Sequence, residues 1–361
     1  MLRLVLARLG TAAVVLLAAV TVTFLAVYAS PGQTVDLILG ENREDAQLRA
    51  EIVALWGLDR PLLVQYSLYL AGLLRGDLGT SYLLRLPVSD VIGEQLGATV
   101  ALTFAAFAIA VLLAVTLALL TSGRAGVVRR VASGLELVLL SIPSFWIGIV
   151  LLAVFSFQLG WFPVSGGAGW QSLALPAFAL ALPITGLLSQ VLREGLDRAG
   201  AQPFALTARS RGVSPLAVRT RHGLRHASLP GLQIAGIVVG SLLGGTVIVE
   251  QVFGRPGLGG ITVDAVYGKD LPVVLGVALV AAATFVAVST IVDLLALLID
   301  PRLRSGAARR RGATATAGAE LAAAAPGAVP TALTTDAAAE PLLVPSLLPE
   351  PAGSLTRGGT R

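Results

Sequence analysis

The chain has no cysteine, one lysine and two histidines, and its charged residues make up only 13% of 361 positions, about half the share of a soluble domain. The lack of cysteine excludes disulfides, thiolate nucleophiles and thiolate metal ligands. The single lysine, Lys269, stands between Gly268 and Asp270, so the chain has no phosphate-cradling G-x-x-x-x-G-K-[ST] loop. His222 and His226 share a helix face at a zinc-compatible i,i+4 spacing, but no carboxylate joins them locally. No metal and no cofactor is expected. The formal net charge of +5 follows from where the arginines cluster and does not point to nucleic acid.

What the chain does have is apolar sequence in long blocks. Hydrophobic residues make up 55% and the mean hydropathy is +0.82. No charge falls between Arg8 and Asp36, Glu94 and Arg124, Glu136 and Arg193, His226 and Glu250, or Asp270 and Asp293. A membrane span needs about 20 apolar residues, so the third interval is too long for one span. Its glycine-rich middle, Gly160 to Gly169, divides it. Six spans are therefore expected near 9–30, 99–122, 135–158, 172–192, 230–252 and 272–298. Span 1 is expected to be retained, because its apolar run exceeds a signal-peptide core.

Arginines give the orientation. Arg3 and Arg8 precede span 1, and Arg124, Arg129 and Arg130 separate spans 2 and 3. Arg193, Arg198, Arg209, Arg211, Arg219, Arg221 and Arg225 lie between spans 4 and 5, and Arg302 and Arg304 follow span 6. The intervening loops are uncharged or balanced, so both termini are expected to be cytoplasmic. Asp293, Glu136 and Glu250 fall near the ends of spans. A proton relay would need acids in series at mid-membrane, so structural pairing is expected of all three.

Two segments outside the spans carry helix signals. Between spans 1 and 2, Leu48, Ile52 and Leu55 recur at helical spacing and Gly57 can close that helix. A second helix is expected from Pro61 to Leu74, then a turn over Gly76 to Ser81, making a small extracytoplasmic cap. Between spans 4 and 5, Pro203 suits a first helical position, Gly212 a left-handed helix end, and Ser214-Pro215 a second helix start. Phe204, Ala205 and Ala208 share one face. Leu229-Pro230 is expected to break the second helix just before span 5. A small apolar face rimmed by arginines suits docking into a groove of another protein. The alternative is an interfacial hairpin with its arginines on lipid phosphates. In span 5, Gly236, Gly240 and Gly244 repeat every fourth residue, a bare stripe that allows close helix approach. It is either a seam with a partner subunit and the solute path, or packing inside this chain's own bundle.

The motifs narrow the choice. Thr207-Ala208-Arg209-Ser210-Arg211-Gly212 with His226-Ala227-Ser228-Leu229-Pro230 resembles the cytoplasmic coupling loop of ABC importer permeases. Gly57-Leu58-Asp59-Arg60-Pro61, Gly76-Asp77-Leu78-Gly79, Ser141-Ile142-Pro143-Ser144-Phe145-Trp146, Val249-Glu250-Gln251-Val252-Phe253, Pro256-Gly257-Leu258-Gly259 and Asp270-Leu271-Pro272 follow in order. Together they resemble the first (B-type) membrane subunit of the dipeptide/oligopeptide/nickel permease family, from about Leu2 to Arg304. Leu206 departs from the charged residue usual there.

That resemblance implies an all-α polytopic membrane protein with the six-helix type I ABC importer (MetI-like) permease fold in a bacterial cell membrane. It implies a permease subunit forming half of a translocation pathway for peptides or similar small solutes, without an ATPase site of its own. The implied partners are a second homologous permease subunit, two ATP-binding-cassette ATPase subunits and an extracytoplasmic solute-binding protein. Phe204, Thr207, Ala208, Arg211, Gly212 and Pro230 are expected to form the ATPase-coupling loop, and Gly236, Gly240 and Gly244 the helix packing or solute path. The expected organisation is 1–98 (first span and cap), 99–300 (permease core, coupling loop 194–229) and 301–361 (a cytoplasmic, Ala/Pro/Gly-rich disordered tail). A stand-alone secondary transporter or channel would need mid-membrane ionisable residues or a repeated half. A membrane scaffold would not need the coupling loop.

Overall fold

The computed structural model describes residues 2–299 except 33, 167 and 168; the expected tail at 301–361 lies outside the described residues. Four helices are long and apolar enough to cross a bilayer: α1 (Leu2–Ala29), α5 (Val88–Thr121), α8 (Trp170–Gly200) and α13 (Leu271–Ile299). Two bent helix pairs bring the number to six. The first is α6 (Val127–Ser141) with α7 (Ser144–Leu151), and the second runs through α11 (Leu224–Val252). The shorter helices are α2 (Thr34–Leu39), α3 (Ala46–Trp56), α4 (Leu62–Leu73), α9 (Pro203–Ser210), α10 (Pro215–Val218) and α12 (Leu258–Tyr267). No strand forms among the described residues, as a membrane-embedded chain without a closed barrel requires.

Three expectations change. The expected span 135–158 is not one straight helix: Ile142 is extended (ψ 125°) ahead of Pro143, and the two arms meet at 97°. Proline disfavours a helical residue before it and supplies no amide of its own, which explains the break there. The outer arm then continues as a π-helical stretch, Leu152–Gln158. The second span, expected from 99, begins eleven residues earlier, at Val88, the start of α5. Pro230 does not break the helix: α11 passes through it. The proline removes one backbone rung, and next to the gap the Ser228 hydroxyl donates to the Arg225 carbonyl at 2.8 Å. The chain is instead irregular just before, in a π-helical turn at Arg219–Gly223, and it bends by 50° between Leu242 and Gly244.

α8 is the central post. Its one face packs Leu188, Leu192 and Leu196 against Ala114 and Ala118 of α5 and Ala227 and Ala235 of α11. Close approach is made by small residues: a Cβ on Gly195 would meet Ala227 at 2.8 Å, and one on Gly186 would meet the Glu136 carbonyl at 2.7 Å. This is how helices associate where lipid removes the hydrophobic driving force. α1 lies against α13, with Val20, Phe24 and Leu275 buried under Leu62, Tyr66 and Leu70 of α4. Arg8 pairs with Asp293 across α1 and α13, so each charge in that seam has its counter-ion.

Candidate functional site

At the arginine-rich end, α8 gives way at Gly200 to the segment α9–α10. Pro203 takes the first helical position of α9, where its missing amide has no partner to lose. Gly212 ends it with φ +81°. The Gly212 amide donates to the Arg209 carbonyl at 2.9 Å and the Val213 amide to the Ala208 carbonyl at 3.1 Å, the two bonds of a Schellman cap. The Ser214 hydroxyl then accepts from the Ala217 amide at 3.3 Å, capping α10. The result is a helix, a glycine corner and a second helix whose shape is set by its own backbone.

This segment is held to the bundle from one side only. Ala205 and Val218 are buried. Arg209 donates to the Gly200 carbonyl at 2.9 Å and Arg219 to the Leu119 carbonyl at 3.3 Å. Asp197 on α8 accepts from the Gly123 amide at 2.7 Å and pairs with Arg129 at 2.9 Å. The expected apolar face is present: Phe204 stacks on His226, with ring centroids 4.9 Å apart, and meets His222 edge-on at 6.3 Å. Phe204, Thr207, Ala208 and Arg211 line a depression of about 620 Å³ with Arg221, His222, Arg225 and His226. In the sequence the two histidines stand at a metal-compatible spacing, and His226 opens the segment that resembles a coupling loop. They are the aromatic floor of this depression, and no group of three metal-ligating side chains occurs among the described residues.

Four of the six residues expected to form a coupling loop thus line one depression. Gly212 forms the corner, and Pro230 lies inside α11 away from the depression. The glycine stripe divides. A Cβ on Gly236 would meet Val292 at 3.1 Å and one on Gly240 would meet Phe285 at 2.3 Å, both on this chain's own α13. Those two positions are used inside the bundle and are not free to form a seam with another subunit. Gly244 has nothing within 4 Å.

The opposite end joins residues that stand in separate motifs of the sequence. Asp270, buried, accepts from the Ser81 hydroxyl at 2.5 Å and from the Tyr82 and Leu83 amides at 3.1 and 3.3 Å. Burial and the Asp270 charge push the Tyr82 phenol up to about 12. Lys269 takes a left-handed backbone (φ +51°) and donates to the Ser30 and Gly32 carbonyls at 2.7 and 2.6 Å. Glu250 accepts from the Thr99 hydroxyl at 2.7 Å and the Gly259 amide at 2.8 Å, while Thr99 accepts from the Leu258 amide. A Cβ on Gly257 would stand 2.3 Å from the Glu250 carboxylate, which is why glycine occupies that turn. None of these pairings has a local signature, because Ser81 and Asp270 are 189 residues apart.

Comparison with known proteins shows the family. Residues 106–305 match the model of the binding-protein-dependent transport system inner membrane component, and residues 1–103 match that of its N-terminal portion. A peptide transport system permease protein of Brucella abortus is 37% identical over 310 residues, covering 83% of this chain and 98% of its own length. The glutathione transport system permease of Salmonella typhimurium is 35% identical over 305 residues, covering 84% and 99%. A solved inward-facing structure of the methionine ABC transporter MetNI is 18% identical, with a TM-score of 0.46 over 57% of this chain and 94% of its own. With its six-span helical architecture and its match along nearly all of residues 1–305, the chain belongs to the family of binding-protein-dependent transport system inner-membrane components, the permease subunits of ABC transporters.

Proposed function

We propose that this subunit forms half of a translocation pathway for peptides or peptide-like solutes and takes its driving force from a separate ATPase gripping α9–α10. The observation that carries this is the arginine-rimmed depression around Phe204, rigid in its own caps yet open on its outer side. Such a knob presents an aromatic anchor with surrounding charges, the arrangement that dominates binding energy in protein interfaces. The arginine bias of the flanking loops puts α9–α10 and both termini on the cytoplasmic side. ATP hydrolysis falls to the partner: the chain's one lysine is spent on the Ser30 and Gly32 carbonyls at the other end.

Completing the pathway requires a second, similar permease subunit, and Gly244, with open space before it, is our candidate for that seam. An extracytoplasmic binding protein delivers the solute to the end capped by α2–α4. The peptide class is supported by this chain's similarity to peptide and glutathione transport permeases. Mechanistically, closure of two ATPases pushes α9–α10. Because α9 follows α8 after two residues, Ala201 and Gln202, the push enters the bundle at its central post, and alternating access requires the two packings to differ by only a few kcal/mol, within what ATP binding supplies.

The test is co-purification of the ATPase subunits with the full permease complex. Phe204→Asp places a charge on the stacked aromatic face, and Gly212→Pro removes the amide that closes the corner. Both are expected to release the ATPases while the permease remains folded in the membrane. Undiminished association in both variants would refute the assignment.

A further inference from the structure

α6 and α8 run antiparallel and are joined by two ion pairs of opposite polarity. At the arginine-rich end, Arg129 on α6 meets Asp197 on α8 at 2.9 Å. One turn deeper along α8, the order is reversed: Glu136 on α6 meets Arg193 on α8 at 2.7 Å. This second pair is sealed, with side-chain exposures of 2% and 4%. Ser189 donates to Glu136 Oε1 at 2.9 Å, and Arg193 Nη2 donates to Ser133 Oγ at 3.1 Å. Nε and Nη1 of Arg193 are buried without an acceptor.

That last fact argues against a role in stability alone. A buried ion pair is favourable only when its remaining hydrogen bonds are satisfied, and a well-packed apolar pair of the same volume is often equal or better. The best-attested use of a buried charge is to fix register. Here the polarity of the two rungs does that in both directions. If α6 slid two turns, about 10.5 Å at about 1.5 Å per residue, toward the arginine-rich end, Glu136 would take the place of Arg129 beside Asp197. If it slid one turn, about 5.4 Å, the other way, Arg129 would take the place of Ser133 beside Arg193. Each slide brings like charges together, the second of them at the sealed rung, where little water screens them. Had the two rungs the same polarity, each slide would exchange one attractive pair for another. Gly186, against the Glu136 carbonyl and Leu139, brings the helices close enough for the discrimination to be felt.

We propose that this reversed-polarity ladder locks the register of α6 on α8, so that the inner arm of the broken third span and the central post move as one lever. The inference rests on the reading of α9–α10 as the drive point, because α8 leads directly into α9. A push there reaches the 97° elbow between α6 and α7 without being lost in a one-turn ratchet, a transition that packed helices do make in other proteins.

The chain lacks cysteine, so spin labels can be placed without background substitutions. Labels at Val131→Cys on α6 and Arg198→Cys on α8, both at exposed positions, read the register as a distance in the assembled complex in nanodiscs. The native ladder is expected to give one narrow distance. The swap Glu136→Arg with Arg193→Glu keeps an ion pair at that rung but gives both rungs the same polarity. It is expected to add a second population displaced by about one turn, 5.4 Å, and to lower uptake of a labelled tripeptide at least tenfold. Adding Arg129→Gln and Asp197→Asn removes the competing attractions and is expected to shrink that second population, whereas general damage from the swap would enlarge it. A single narrow distance in the swap variant would overturn the ladder, and a split distance with native uptake would overturn the lever. If the swap variant does not accumulate, Glu136→Leu with Arg193→Met takes its place, with the same split expected and a single distance again overturning the proposal. The distances do not depend on ATPase contact, so a failure here is separable from the Phe204→Asp result.

Discussion

The two ends of the helix bundle use charge in opposite ways. At the cap end, Glu250, Lys269 and Asp270 are all buried, and each is satisfied largely by backbone groups. At the other end, Arg211, Arg221 and Arg225 are exposed around a depression with an aromatic floor. A buried charge with every bond made is part of the scaffold, since removing it strands its partners. An exposed guanidinium contributes little until a second surface desolvates it. One end is thus finished within the chain, and the other awaits a partner.

The sharpest way to break this contrast is at Asp270. Its carboxylate serves the Ser81 hydroxyl and two amides, and hydrogen bonds to a charged group contribute about 1.5–3 kcal/mol each. Asp270→Ala is expected to destabilise the protein by roughly 3–5 kcal/mol, the range found when one partner of a buried charged network is removed, read as a fall in thermal unfolding temperature in detergent. Asp270→Asn, which retains an acceptor, is expected to lose less. A change under about 1 kcal/mol for Asp270→Ala, the size of one ordinary hydrogen bond, would mean that the cap is not anchored there.

The glycine stripe gives the next test within one helix. Gly240→Ala drives a methyl into the Phe285 ring, 2.3 Å from Cδ2, and overpacking of this kind costs about 1–3 kcal/mol. Gly244→Ala meets nothing within 4 Å and is expected to leave the stability of the isolated subunit unchanged. In the assembled complex the ranking is expected to invert for assembly, with Gly244→Leu weakening the association of the second permease subunit. Equal unfolding temperatures for Gly240→Ala and Gly244→Ala would remove the distinction.

How much of this was legible in the sequence follows from how local each signal is. Pro203, Gly212 and Ser214-Pro215 specify a cap, a corner and a restart within a dozen residues, and the structure holds all three where they were expected. Gly57 behaves likewise, with φ +62°. Pro230 misled because its helix-breaking tendency is a local preference, and the packing of Gly231 against Leu192 and of Ala227 against Gly195 outweighs one missing rung. The break at Pro143 is absent from the span expected over 135–158, because apolar runs report length, not direction, and 97° of bend leaves no trace in hydropathy. The Asp270, Lys269 and Arg193 contacts join segments 60 to 239 residues apart, beyond the reach of any spacing rule.

The smallest expected effect belongs to the open end. Arg221→Ala and Arg225→Ala remove exposed guanidinia from the rim of the Phe204 depression and are expected to leave the unfolding temperature of the isolated permease unchanged. Each should weaken ATPase association only a few-fold, because rim charges act mainly on encounter rate and little on the bound state. The signature is salt dependence: association of the native complex should fall as ionic strength rises from about 0.05 to 0.5 M, where screening shortens to a few ångströms, and the double variant should show a shallower fall. Phe204→Ala, by contrast, should weaken association by an amount independent of salt. If Arg221→Ala and Arg225→Ala left the salt slope untouched, the arginines would be lipid-facing, and the docking face would reduce to the aromatic stack alone.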